Sequence, residues 1–208
     1  MSSTDHAAAV HQVHRDDYGS RLGMWLFLFT ELILFGGLFI VYAVYRFMHQ
    51  QEFHLAAQEL NTTIGLINTI ALLTSSMTAA MSITAMQKGN LRFSKGLIWV
   101  TIGFAFVFMV NKYFEWSAKI HHGIFPGSKD LLAKPDGEIL YFGLYYVMTG
   151  LHTFHVIVGV IFFLFILRQI KQGKITSDRY VRLENSALYW HLVDLIWIFL
   201  FPLFYLIH

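Results

Sequence analysis

The chain has 208 residues, 56% of them hydrophobic and only 13% charged, where a soluble domain carries about 25% charge. That excess of apolar surface cannot be hidden in one soluble core of this size and calls for the bilayer as a second solvent. A formal charge of +2 gives no reason to expect nucleic acid, and the absence of cysteine excludes disulfides, thiolate metal sites, iron–sulfur clusters and cysteine nucleophiles.

Residues 1–21 form a polar segment with His6, His11, His14, Arg15, Asp16 and Asp17. No apolar run precedes them, so no cleavable signal peptide is expected, and the segment reads as a solvated tail on the membrane surface. The remainder, 22–208, reads as one all-α transmembrane domain. A spanning helix needs about 20 mostly apolar residues, and five stretches qualify: about 22–47, 62–87, 94–119, 138–169 and 184–207. The 20 Phe, 10 Tyr and 5 Trp suit a lipid-facing protein with aromatic belts at the two interfaces.

In span one, Glu31 lies roughly 14 Å beyond the start of the helix at a 1.5 Å rise. A carboxylate at that depth must be protonated, paired or near water. Two readings stay open: a proton-handling or lipid-headgroup-binding acid, or a protonated acid that glues helices together. Span two is rich in small residues, among them Ser75, Ser76, Ala79, Ala80, Ser82 and Thr84. Small side chains allow close helix approach where van der Waals contact replaces hydrophobic drive, so this span is expected at an interface. In span three Glu115 has Lys112 three residues before it and Lys119 four after, which predicts local pairing.

The loop of 120–137 holds Gly123, Pro126, Gly127, Pro135 and Gly137, a composition that favours turns. Span four carries His152 and His155, three apart. Such a pair can ligate a metal or haem iron, but no further ligands accompany it, and hydrogen bonds to neighbouring helices are the commoner use. Span five carries Trp190, His191, Asp194 and Trp197. His191 and Asp194 share a face and suit either a proton relay or a buried pair that fixes how two helices dock.

Lys and Arg set the orientation. Ten lie on one side (Arg15, Arg21; Lys88, Arg92, Lys95; Arg168, Lys171, Lys174, Arg179, Arg182) and four on the other (Arg46, Lys119, Lys129, Lys134). This predicts the amino terminus inside and the carboxyl terminus outside. Phosphate-binding glycine loops, nucleophile elbows and helical zinc-protease motifs are absent from the sequence, which argues against a free-standing enzyme.

Several of these stretches resemble the third subunit of haem–copper respiratory oxidases. The resemblance runs from about Arg21 to the C-terminus. It is carried by the 25–39 stretch with Glu31, by Asn68 and Ser75-Ser76-Met77-Thr78, and by Phe114-Glu115. Thr149-Gly150-Leu151-His152-Thr153-Phe154-His155-Val156 and Tyr189-Trp190-His191-Leu192-Val193-Asp194-Leu195-Ile196-Trp197 complete it, the last being the most specific. The resemblance implies the shorter, five-helix bacterial form, without the two extra helices that build a lipid cleft in the longer form. It implies a subunit of the bacterial cytoplasmic membrane that holds no haem, copper or other cofactor, those being carried by partner subunits. Its implied partners are the catalytic subunit I and membrane phospholipids, and its implied role is to sustain proton uptake and protect the complex during turnover. Glu31 matches the family's intramembrane glutamate, which reacts with hydrophobic carbodiimides. Cytochrome c oxidase is the first expectation, with a quinol oxidase or nitric oxide reductase relative as the alternative. An independent proton or ion transporter using Glu31, His191 and Asp194 is a second class, though no internal repeat supports it. A membrane metalloenzyme using His152, His155 and His191 is a third.

Overall fold

The computed structural model describes residues 17–207; the expected polar tail, including His6, His11 and His14, lies almost wholly outside them. Seven helices follow in order: α1 (Asp17–Met48), α2 (Gln50–Gln58), α3 (Thr62–Gln87), α4 (Leu91–His121), α5 (Lys129–Leu132), α6 (Asp136–Lys171) and α7 (Val181–Tyr205). Five of them, all except α2 and α5, are long and apolar enough to cross a membrane. The sequence-based spans hold, with ends that move by a few residues. α1 begins inside the expected tail, at Asp17, where a carboxylate in the first turn complements the helix dipole.

α3 and α4 are antiparallel neighbours because the turn between them is so short. Gly89, at φ 76°, reverses the chain in a left-handed conformation that suits glycine. The Asn90 amide then returns to the Ala85 carbonyl, while the Asn90 side chain caps Phe93 at the start of α4. The small side chains of α3 fall as their spacing requires: Ser75, Ala79 and Ser82 are buried, whereas Ala80 and Thr84 are exposed. Hydroxyls knit the two helices, with Ser94 donating to the Ser82 carbonyl at 2.8 Å and Thr78 bonded to Thr101 at 2.8 Å. α3 also lies against α7, closely enough that a Cβ at Gly65 would stand 2.7 Å from the Phe201 ring. α7 is the most enclosed span and α1 the least.

Two short helices depart from expectation. α2 was absent from the sequence reading because its nine residues carry too few apolar positions. Phe53 nevertheless anchors it, stacking edge-on against Tyr42 and Tyr141 at 5.6 and 5.4 Å. α5 interrupts the turn-rich 120–137 loop: Ser128 caps the amide of Leu131, which is buried. Gly123 and Gly127 supply the left-handed turns expected from their sequence.

Candidate functional site

Three polar clusters lie within the membrane-spanning helices. The first joins α1 to α6. Glu31 Oε2 lies 2.9 Å from Nε2 of His155, and both side chains are largely buried. The other imidazole nitrogen, Nδ1, lies 2.7 Å from the Leu151 carbonyl. A carbonyl only accepts, so Nδ1 must carry a hydrogen. Nε2 then either accepts from a protonated Glu31 or, as imidazolium, donates to its carboxylate. In both states the pair has zero net charge and one shared proton, which is how an acid survives at this depth. Phe35 closes one side of the imidazole edge-on, and the Tyr189 hydroxyl donates to the His155 carbonyl at 3.1 Å.

The second cluster joins α3 to α7. The Ser76 hydroxyl lies 2.6 Å from Nδ1 of His191. The two carboxyl oxygens of Asp194 are buried and make no hydrogen bond among the described residues. His191 thus turns to a serine of α3, and no hydrogen bond joins it to Asp194. The flanking indoles do more than wall the pair. Trp190 donates to the Ser75 hydroxyl and Trp197 to the Thr69 hydroxyl, each at 3.0 Å. A stripe of α7 side chains reads a stripe of α3 hydroxyls.

The third cluster lies among α4, α6 and α7. Lys112 Nζ stands 3.0 Å from Glu115 Oε2, 3.2 Å from the Tyr145 hydroxyl and 2.7 Å from the Tyr205 hydroxyl. All three ammonium protons are therefore used. Both tyrosines donate to Glu115 Oε1, at 2.8 and 2.6 Å. The sequence placed Glu115 between two lysines; in the structure only Lys112 pairs with it. Lys119 points away and donates to the Glu59 carbonyl at 3.2 Å. Helical spacing found the local partner but could not find the tyrosines, which come from other helices 30 and 90 residues away.

His152 and His155 do not form a joint site. His152 Nε2 bonds the Val193 carbonyl of α7 at 3.1 Å, with its ring between Phe108 and Trp197, whereas His155 turns to α1. No group of three His, Asp or Glu side chains among the described residues is arranged to hold a metal ion. Outside the spans, Lys134 bridges Glu59 and Glu138. Partial burial works against its charge, but the two carboxylates outweigh that and hold its pKa above the ordinary lysine value.

Fold and clusters together define a polytopic helical membrane protein in which two intramembrane acids, Glu31 and Glu115, are met by side chains of other helices. The cytochrome c oxidase subunit III family model matches residues 2–208, and the chain belongs to that family. It is 29% identical over 208 residues to cytochrome c oxidase subunit 3 of Thermostichus vulcanus, covering all of this chain and 96% of that one. It is 29% identical over 190 residues to a probable quinol oxidase subunit 3 of Staphylococcus saprophyticus, covering 90% and 89%. It is 30% identical over 193 residues to the heme-copper oxidase subunit I+III of Aeropyrum pernix, covering 90% of this chain and 22% of that longer polypeptide.

Proposed function

We propose that this chain is the non-catalytic third subunit of a haem–copper terminal oxidase in a bacterial cytoplasmic membrane, working beside a catalytic subunit that holds the haems and copper. The observation that carries this reading is the family match along residues 2–208. The relative in which regions I and III share one polypeptide favours subunit I as the partner. Relatives named for both cytochrome c and quinol oxidation leave two electron donors, of which cytochrome c is the first reading.

In this role Glu31 and His155 act as a proton-holding pair between α1 and α6. The geometry supports that use because one proton can sit on either partner without creating net charge in the bilayer. His191 with Ser76 docks α7 on α3, and Glu115 with Lys112 fixes α4 against α6 and α7. His152 holds α6 to α7.

The orientation proposed is amino terminus inside and carboxyl terminus outside, from the distribution of Lys and Arg. Ser128 is too buried to report it, but Lys129 and Asp130 beside it are exposed. A cysteine at Lys129 should react with an impermeant thiol reagent in intact cells; reaction only after permeabilisation reverses the orientation. The functional reading is tested by purifying the tagged chain from its native membrane in mild detergent. Haem absorption and oxygen consumption in the same fraction are expected, and a homogeneous fraction free of both would overturn the assignment.

A further inference from the structure

α7 is covered on three sides and open on the fourth. α6 takes the side of Tyr189 and Val193, through the Tyr189 hydroxyl on the His155 carbonyl and His152 on the Val193 carbonyl. α3 takes the side of Trp190 and Trp197, whose indoles donate to Ser75 and Thr69. α1 lies along a third side, where the Phe39 and Phe199 rings meet at 6.1 Å. Among the described residues α1 and α3 both pack on α7 but not on each other. The strip of α7 between them is therefore the floor of a valley that opens to the bilayer. His191, Leu195 and Ile198 recur along this floor at intervals of four and three, one stripe of a helix, and Leu195 and Ile198 are exposed. Leu73, Ser76 and Ala80 form the matching stripe on the α3 wall, with Leu73 and Ala80 exposed.

His191 brings spare bonding capacity to this floor. The Ser76 hydroxyl has no other acceptor among the described residues, so it donates to Nδ1, and Nε2 carries the ring hydrogen. The imidazole is half-buried, and no acceptor for Nε2–H stands among the described residues. Water is not at hand here. His191 lies ten residues into α7, which begins at Val181, about 15 Å from that end at a rise of about 1.5 Å per residue. In a hydrocarbon core about 30 Å thick that is the middle of the bilayer. Lipid esters and phosphates lie outside the core, so acyl chains offer the N–H nothing, and a polar hydrogen left unpaired in hydrocarbon is costly.

We propose that the valley between α1 and α3 seats a transmembrane helix of a different polypeptide, which presents a hydrogen-bond acceptor to Nε2 of His191. The small Ser76 and Ala80 side chains let such a helix come close, the packing on which helix association in lipid depends. A second copy of this chain does not fit. Twofold pairing across the valley sets donor against donor, and the exposed side chains beside His191 (Leu73, Ala80, Leu195 and Ile198) carry no acceptor. Only a bilayer is required, so the seat stands or falls apart from the oxidase assignment.

The test is photocrosslinking in the native membrane, with benzoylphenylalanine at Leu195 of the tagged chain. One polypeptide of different sequence should be captured, through a peptide that belongs to a membrane-spanning segment. Ala80→Phe, which fills the valley and leaves His191 and Ser76 in place, should cut that capture several-fold. His191→Leu should reduce co-purification of the same polypeptide several-fold, and His191→Gln, whose amide still donates, should restore most of it. Adducts with lipid alone, or with a second copy of this chain, would overturn the proposal. Capture unchanged by Ala80→Phe would remove the seat, a result that holds even if His191→Leu fails to fold. Equal co-purification in wild type and a folded His191→Leu would remove the hydrogen bond.

Discussion

Two buried acids of this chain are handled in opposite ways. Glu115 accepts from an ammonium and two tyrosine hydroxyls, and Lys112 spends every proton on the same cluster. Nothing in that network is left to move. Among the described residues Glu31 has one side-chain partner, His155, with a single proton between them and two places to keep it that both leave the pair with zero net charge. The first arrangement locks three helices together; the second is the pair proposed above to hold an exchangeable proton. The lesson is that burial and pairing alone do not mark a functional acid. The number of donors committed to it separates a rivet from a reservoir.

The largest expected effect comes from breaking the locked cluster. Lys112→Met leaves Glu115 without a counter-charge and should destabilise the chain by about 3–5 kcal/mol, the range for unpairing a buried ion pair. Thermal denaturation of the purified complex measures it. Lys112→Met combined with Glu115→Leu should recover much of the loss, and a double variant as weak as the sum of both singles would show that charge is not what the cluster balances.

At Glu31 the expected ordering is different. Gln keeps the volume and donates an amide proton to Nε2 of His155, so Glu31→Gln should leave folding within about 1 kcal/mol of wild type. Glu31→Ala strips the partner from a buried imidazole and leaves a gap, which should destabilise by about 2–3 kcal/mol. Equal stability of the two variants would mean that α1 and α6 do not depend on this contact.

A smaller effect is expected at His152. Its Nδ1 makes no hydrogen bond among the described residues, so His152→Leu gives up one bond to the Val193 carbonyl and relieves a buried unpaired atom. The net loss should be about 1 kcal/mol, with metal content by elemental analysis unchanged. The smallest belongs to Arg21, whose guanidinium meets Glu184 at 2.7 Å while 48% exposed. Arg21→Ala should shift stability by less than about 1 kcal/mol, and the shift should vanish in high salt.

Much of this was legible in the residues. Five apolar runs point to five spans because no other solvent accepts that much hydrocarbon. Glu31, His155, His191, Asp194 and Glu115 were each visible as ionisable groups at depth. Their partners were not. Spacing along one helix reports neighbours three or four residues away, so it found Lys112 for Glu115. It could not find Glu31 for His155, 124 positions distant, or Ser76 for His191. It also misjudged Lys119, whose side chain turns to Glu59 in a segment that local periodicity does not reach. α2 escaped for a related reason: a nine-residue helix anchored by one buried Phe carries almost no periodic signal.

The central claim is that Glu31 belongs to a supporting subunit and holds a proton without taking part in the chemistry of oxygen reduction. The direct measurement is oxygen consumption per haem in the purified Glu31→Gln complex, followed from the first turnovers through many. With haem content intact, the initial rate should match wild type, and any deficit should grow with turnover as proton supply or lifetime suffers. An initial rate near zero in a fully haem-loaded complex would place Glu31 in the reaction itself and contradict the account.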